Sequence, residues 1–470
     1  MRGLAARNGG RVGLAALVAI LLLGLGLRVD SAWQGRAPVY DAQGYAKIAA
    51  NLERGEGFSL GPGATQPASN YSPGLPLLAG GIYKLTGGVH ERFVRLALAL
   101  IGSLAVLFSY LIGRRLSGPA AGLVGAAAVA IYPALLEYQG MLMSEPLAAT
   151  LLSGAVLAML WAGGWEEGRG SPGGRWVFRP RRGRPSEVEG GAKNGTPLPP
   201  GDPRPSSIQW LAPGLLLGAL ALVRPEYLAI SLPIAVVVFA RRGRGDWRAG
   251  LVQALVMLVG VAVVVAPWTV RNEVALGRFV PISTGGGQVL FSGSYLPSGG
   301  DPERVGEEVL ERHPELRAEL PPNPRLEQIL AALAKQRYPQ LESDAALARM
   351  GRERLWDDVS ERPVEYAGFV ASKLWLIWGH GSRDVMHDPA WEVLHWLLVA
   401  LGLLGLGVLA SRRRWEALLL GVVLVAVTAT GALLVASPRR ALVTVPVVAA
   451  LAGVATTGVV RTRTGRRRSA

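Results

Sequence analysis

Long apolar runs alternate along this chain with short polar connections. The runs fall at 12–27, 94–112, 120–136, 141–162, 208–223, 227–240, 251–268, 391–410, 415–436 and 441–460. The run 94–112 carries one charge, Arg95, and the runs 251–268, 391–410 and 441–460 share one, Glu392. A helix of about 20 apolar residues matches the hydrocarbon thickness of a bilayer. A soluble core can hold a few such runs by chance, but not ten. The pattern therefore predicts an all-α polytopic membrane protein with about ten transmembrane helices, the shorter of them tilting less or lying inside the bundle.

Two connections are long enough to fold outside the membrane. One is 29–91, after the first run. The other, 270–389, is as charged as a soluble domain, and its prolines divide it into helices at 302–320, 325–337, 343–359 and 363–378. Ser343-Asp344 reads as an N-cap, and Trp375 and Trp378 suit the headgroup level. The expected division is a transmembrane core at 1–269, an outer helical domain at 270–389, and three last spans with a basic tail at 390–470. The stretch 163–207 is rich in Gly, Pro and Arg, a composition that predicts disorder.

Charge then sets the orientation. The formal net charge is +15. With the N-terminus in the cytoplasm and one crossing per run, every cytoplasmic connection is basic, and together they hold roughly half of the 49 Lys and Arg. Both termini are expected inside a plasma (inner) membrane. The positive-inside bias accounts for the charge without a nucleic-acid partner. The first run also fits a signal peptide cut after Ser31-Ala32, although a retained helix is the expectation. Cysteine is absent, which removes disulfides and thiolate chemistry. Gly285 to Gly287 has no Lys-Ser/Thr behind it and makes no nucleotide loop. His90, His380, His387 and His395 are dispersed, so no metal site is expected. The sequons at Asn70 and Asn194 are short matches with no assigned role.

The informative charges are those that break the bias. Arg224 in ALVRPEYL, Arg271 in APWTVRNE, and Arg439-Arg440 in ASPRRALV all fall at outer span ends. Snorkelling to headgroups explains any one of them. Three such turns together suit a phosphate, because a guanidinium presents a bidentate fork to its oxygens. Carboxylates fall at the same level: Asp41 after the first span, Glu137 and Glu145 around the turn between the third and fourth, and Glu226 beside Arg224. Tyr45, Asn272 and Lys373 are further candidates for lining a substrate cavity.

At these residues the sequence resembles the C-type membrane glycosyltransferases. The likeness is to the family 39 group, with protein O-mannosyltransferases and lipid A aminoarabinose transferases as relatives. The matching pieces are Asp41-Ala-Gln-Gly-Tyr45, which would open an interfacial helix in the first outer loop, NYSPGLPLLAGGIYKLTG from Asn70, GRRLSGPAAGLVGAAAVAIYP from Gly113, Ser144-Glu145, LVRPEYL, and PWTVRNEVALGRFVPISTGGG from Pro267. They cover the first ~290 residues, and the outer arginines extend the likeness to the last spans. Two positions depart from the pattern. Ala42 stands where many relatives have a second acid, and Ala441 follows Arg439-Arg440 where many have an aromatic residue next to the arginine. These leave the acceptor open.

The resemblance implies transfer of a sugar, with inversion, from a polyprenyl-phosphate donor to a lipid, glycan or protein acceptor at the outer face. It makes Asp41 the base and gives Glu145 an acceptor-orienting or assisting role. Arg224, Arg271, Arg439 and Arg440 would hold the lipid phosphate, with no cofactor. A transporter or flippase of lipid-linked sugars would also use arginines, but calls for polar residues in mid-span and inverted repeats, which are not found. A non-catalytic assembly protein is the third alternative.

Overall fold

The computed structural model describes residues 2–36, 38, 41–61, 67–164, 207–379, 381 and 384–466. Nearly all of the 163–207 loop, with Asn194, lies outside them, as does His380. The described chain is helical, with one isolated bridge between Ser59 and Pro67. Among the described residues six helices are long and apolar enough to cross a bilayer: Arg11–Gln34, Glu91–Ser117, Glu145–Gly163, Trp247–Leu276, Pro389–Ser411 and Trp415–Leu433. A further crossing is broken, and three apolar helices are shorter: Ser207–Val223, Glu226–Ala240 and Val445–Gly458. These elements fall on the ten runs read from the sequence. The protein is an integral membrane protein with all-α architecture.

The broken crossing corrects the expectation of one helix over 120–136. Pro119–Ile131 and Pro133–Gln139 meet at 51°. Pro133 has no N–H to give to the Val129 carbonyl, so the ladder opens there. Arg28 of the first span closes the gap. Its guanidinium donates to Val129 O at 3.0 Å and to Ala130 O at 3.2 Å, and only 2% of the residue is exposed. Ser31 Oγ donates to Leu136 O at 2.6 Å, and the Arg36 N–H to Gly140 O at 3.0 Å. The C-terminal end of the first span thus holds the short helix 133–139 along its length. The fourth span starts at Glu145 rather than 141, after a buried turn.

Small residues set the packing elsewhere, as expected where lipid supplies no hydrophobic drive between helices. A Cβ on Gly405 would lie 1.9 Å from Leu451 O, so only glycine lets the eighth and tenth spans approach. On the opposite face Arg241 lies between the rings of Trp210 and Trp415, at 5.4 and 5.2 Å, and donates to Gly163 O at 3.0 Å.

Outside the spans, Asp41–Glu53 and Gly74–Thr86 pack on each other within the connection after the first span. The segment after the seventh span has its own core, including Phe291, Tyr295, Val309, Leu330 and Leu347. It is built from Val305–Arg312, Leu326–Arg337, Ser343–Glu361 and Pro363–Trp378. A further helix, Gly286–Ser294, starts in the glycine run and was not read from the sequence. Asp344 does not cap its own helix. Its Oδ1 accepts from the backbone N–H of Gly287 at 2.9 Å and of Gln288 at 3.2 Å, so it caps the glycine-run helix instead. Helix N-termini leave donors unpaired, and a carboxylate from another element satisfies them as well as a local one.

Candidate active site

Four turns at one end of the helix bundle converge. Asp41 opens the first interfacial helix, Glu145 opens the fourth span, Arg224 and Glu226 flank Pro225 between the fifth and sixth, and Arg439 and Arg440 lie in the short helix Pro438–Leu442 before the last. Each is at a helix terminus, where a long side chain leaves the bundle without breaking a hydrogen-bond ladder.

Their side chains form a chain of alternating charge. Asp41 Oδ2 accepts from Arg439 Nη1 at 3.1 Å. Arg439 Nε also bonds Glu145 Oε1. The same Glu145 oxygen accepts from Arg224 Nη2 at 2.8 Å. Arg224 Nη1 reaches Glu226 Oε1 at 3.3 Å, and Arg440 Nη1 reaches that oxygen at 3.1 Å. Arg440 Nε donates to Val435 O at 2.8 Å. Three carboxylates therefore alternate with three guanidiniums.

Burial grades the links. The side chain of Glu145 is 0% exposed, that of Glu226 16%, and that of Asp41 49%. A buried carboxylate is tolerable only when paired, and Glu145 has two cations. Burial opposes the charge on Arg439, but Glu145 and then Asp41 outweigh it and hold the guanidinium above its ordinary value.

The chain forms one wall of a cavity of about 740 Å³. Asp41, Arg224, Glu226, Arg439 and Arg440 line it, with Tyr45 beside them. Tyr45 packs edge-on against Tyr71 at 5.6 Å, and burial, reinforced by the Asp41 and Glu145 charges, raises its hydroxyl above the usual range. Gly44 makes room for that second ring, since a Cβ there would come within 2.2 Å of it. Glu145 lies beneath the lining. The lining also includes Gln288 and Glu327, which sequence reasoning missed, and Ser144 from the Ser144-Glu145 match. Glu327 comes from the outer helical segment, and nothing local in the sequence marks it. The proline-rich segment at Asn70, read only as a likeness, contributes Asn70, Tyr71 and Ser72.

Four sequence candidates stand apart from the cavity. Arg271 does not join the other arginines. The seventh span continues to Leu276 instead of ending near Trp268, so Arg271 sits in the helix body and turns toward the first outer loop. It donates to Phe58 O and Asn272 Oδ1, both at 3.1 Å, and lies over the Trp268 ring at 4.9 Å. Asn272 is buried and donates to Val280 O and Ile282 O at 3.0 and 2.9 Å, which folds the connection back on the helix. Glu137 pairs with Arg36. Lys373 is buried and donates to Gly293 O at 2.7 Å; burial, reinforced by the Arg440 charge, brings its ammonium down to about 8. Among the described residues no three His, Cys, Asp or Glu side chains gather to hold a metal ion.

No family model and no curated protein matches the sequence. Solved structures do. The archaeal oligosaccharyltransferase AglB from Archaeoglobus fulgidus, in complex with an inhibitory peptide and a dolichol-phosphate, superposes with a TM-score of 0.55 at 16% identity, over 97% of this chain and 51% of that one. The apo form of the Archaeoglobus fulgidus oligosaccharyltransferase gives 0.54 at 16% identity, over 97% and 51%. A looser superposition, TM-score 0.37, is found with ArnT from Cupriavidus metallidurans bound to undecaprenyl phosphate, at 16% identity and over 96% and 78%. The chain spans about half the length of the oligosaccharyltransferases it matches. The likeness to the oligosaccharyltransferases shows the fold: this is a polytopic all-α membrane protein that shares their helical architecture over about half of their length.

Proposed function

We propose that the protein transfers a sugar from a polyprenyl-phosphate donor to an acceptor hydroxyl at the outer face of the membrane. The observation that carries this reading is the convergence of Asp41 with Arg224, Arg439 and Arg440 on one cavity at the span ends. That dolichol-phosphate accompanies a protein of the same fold supports the ligand class.

The chemistry follows from the two kinds of group. Arg439 and Arg440, with Arg224 behind them, hold the donor phosphate. As the bond between the anomeric carbon and the phosphate oxygen breaks, its electron pair stays on the phosphate, and the guanidiniums stabilise the growing charge. The acceptor oxygen attacks the anomeric carbon from the face opposite the phosphate, which inverts its configuration. Asp41, half exposed to the cavity, takes the acceptor hydroxyl proton. Glu145 is too deep to touch an acceptor, and its role in this reading is to hold Arg224 and Arg439 in place.

The test uses purified protein in nanodiscs, a polyprenyl-phosphate sugar, and release of polyprenyl phosphate as readout. Asp41→Asn is nearly isosteric and should lower turnover by ~10² or more, as for loss of a positioned base. Wild-type turnover in that variant would move the base elsewhere. Donor translocation without release would replace the reading with a flippase.

A further inference from the structure

We propose that Asp41 and the donor phosphate compete for Arg439, so that donor binding is the event that releases the base. This rests on the function proposed above and adds an order of events to it.

The three carboxylates of the charge chain are held very differently. Glu145 is fully buried and bonds two guanidiniums. Glu226 is mostly buried and also bonds two. Asp41 is the terminal link, with one guanidinium partner, Arg439 Nη1, at 3.1 Å, on a side chain 49% exposed. Exposed ion pairs contribute little, whereas parting a buried one is costly. A new anion entering the cavity therefore displaces Asp41 first and leaves Glu145 and Glu226 in place.

The same geometry shows where the competition falls. Arg439 gives Nε to Glu145 and Nη1 to Asp41. Arg440 gives Nε to Val435 O and Nη1 to Glu226. With three carboxylates balancing three guanidiniums, the site attracts an approaching phosphate only weakly, and a phosphate oxygen at Arg439 Nη1 competes with the Asp41 carboxylate for the same donor. When phosphate takes the Nη1 position on Arg439, Asp41 keeps its place on the first interfacial helix but loses its cation. Its oxygens then face the cavity free to accept a proton. Acceptor activation without donor is suppressed, and the reaction runs donor first.

The experiment measures binding of farnesyl phosphate, a short polyprenyl phosphate with no sugar to transfer, to the full-length protein in nanodiscs by calorimetry. Asp41→Asn and Asp41→Ala should each bind it about fivefold tighter than wild type, the worth of one exposed ion pair. Glu327→Gln removes the same charge from another element lining the same cavity, where Arg439 bonds Glu145 and Asp41 rather than Glu327, and should change affinity less than twofold. Thermal midpoints verify that each variant is folded, and the two Asp41 variants guard against a defect particular to one. Unchanged or weaker binding in both Asp41 variants overturns the competition. So does equal tightening in Glu327→Gln, which would reduce the effect to the general field of the cavity. Binding that is present but not tightened removes this inference alone. No binding in wild type or any variant removes the lipid-phosphate site, and the proposed function with it.

Discussion

Glu145→Gln tests the architecture of the charge chain more directly than any change at the cavity surface. The wild-type side chain is fully buried, and one of its oxygens bonds both Arg224, at 2.8 Å, and Arg439. Glutamine keeps the shape and one acceptor oxygen but removes the charge. Two guanidiniums are then left in buried surroundings without their shared counter-ion, a loss on the order of 3–5 kcal/mol for a broken buried pair. Part of this appears as stability, a fall of several degrees in the thermal midpoint. The rest appears as arginines that no longer point at the phosphate. Two charge-assisted contacts, each worth roughly 1.5–3 kcal/mol, correspond to a loss of donor use of about 10²-fold or more. Glu145→Asp keeps the charge with a shorter reach and should recover much of both. The assays are thermal unfolding in nanodiscs and release of polyprenyl phosphate at limiting donor. A glutamine variant with wild-type midpoint and turnover would refute the reasoning, since it would show that the arginines hold their places without this carboxylate.

Two further outcomes follow from placement. Arg271→Ala should lower the thermal midpoint and loosen the first outer loop, through loss of its bond to Phe58 O and its stacking on Trp268, and should act additively with Arg439→Ala on donor use; strong non-additivity would return Arg271 to the phosphate site. For orientation, reporter fusions after Gly61 and Asn323 should report the outer side and those after Arg115, Gly243 and Arg413 the cytoplasm; a cytoplasmic Asn323 would put the cavity on the wrong face for the proposed reaction.

Most of the site was legible because it is built from exceptions to a strong bias. Arginines on the outer side of short turns are costly to explain one by one, and the crossing pattern alone brings Arg224, Arg439 and Arg440 to one level. What failed depended on distances along helices. The apolar run ends at 268 and so groups Arg271 with the other arginines, whereas the helix runs on to Leu276 and the side chain bonds Phe58 O instead. Asp344 was read as a local cap because sequence shows only neighbours in the chain, and its true partners are 56 and 57 residues earlier. The broken third crossing had a visible cause in Pro133, but the Arg28 bonds that make the break tolerable join residues 101 and 102 positions apart. Glu327 reaches the cavity only because the outer segment folds over it.

The helices that carry Arg224 and Glu226 are thin for a bilayer. Ser207–Val223 and Glu226–Ala240 are among the shorter apolar helices, the second 15 residues long. At 1.5 Å per residue it spans about 22 Å, against roughly 30 Å of hydrocarbon. Lipid next to a short span thins to match it, at a cost of a fraction of a kcal/mol per Å. In the proposed orientation the outer leaflet would dimple where the guanidiniums stand, and lipid headgroups there would ride several ångströms deeper than elsewhere. A lipid phosphate drifting past would then meet Arg224 and its neighbours at its own depth, without climbing out of the membrane to reach them. Bilayer thickness becomes a control on access to the cavity: thicker, longer-chain lipids would resist the dimple and raise the donor concentration needed for half-maximal turnover.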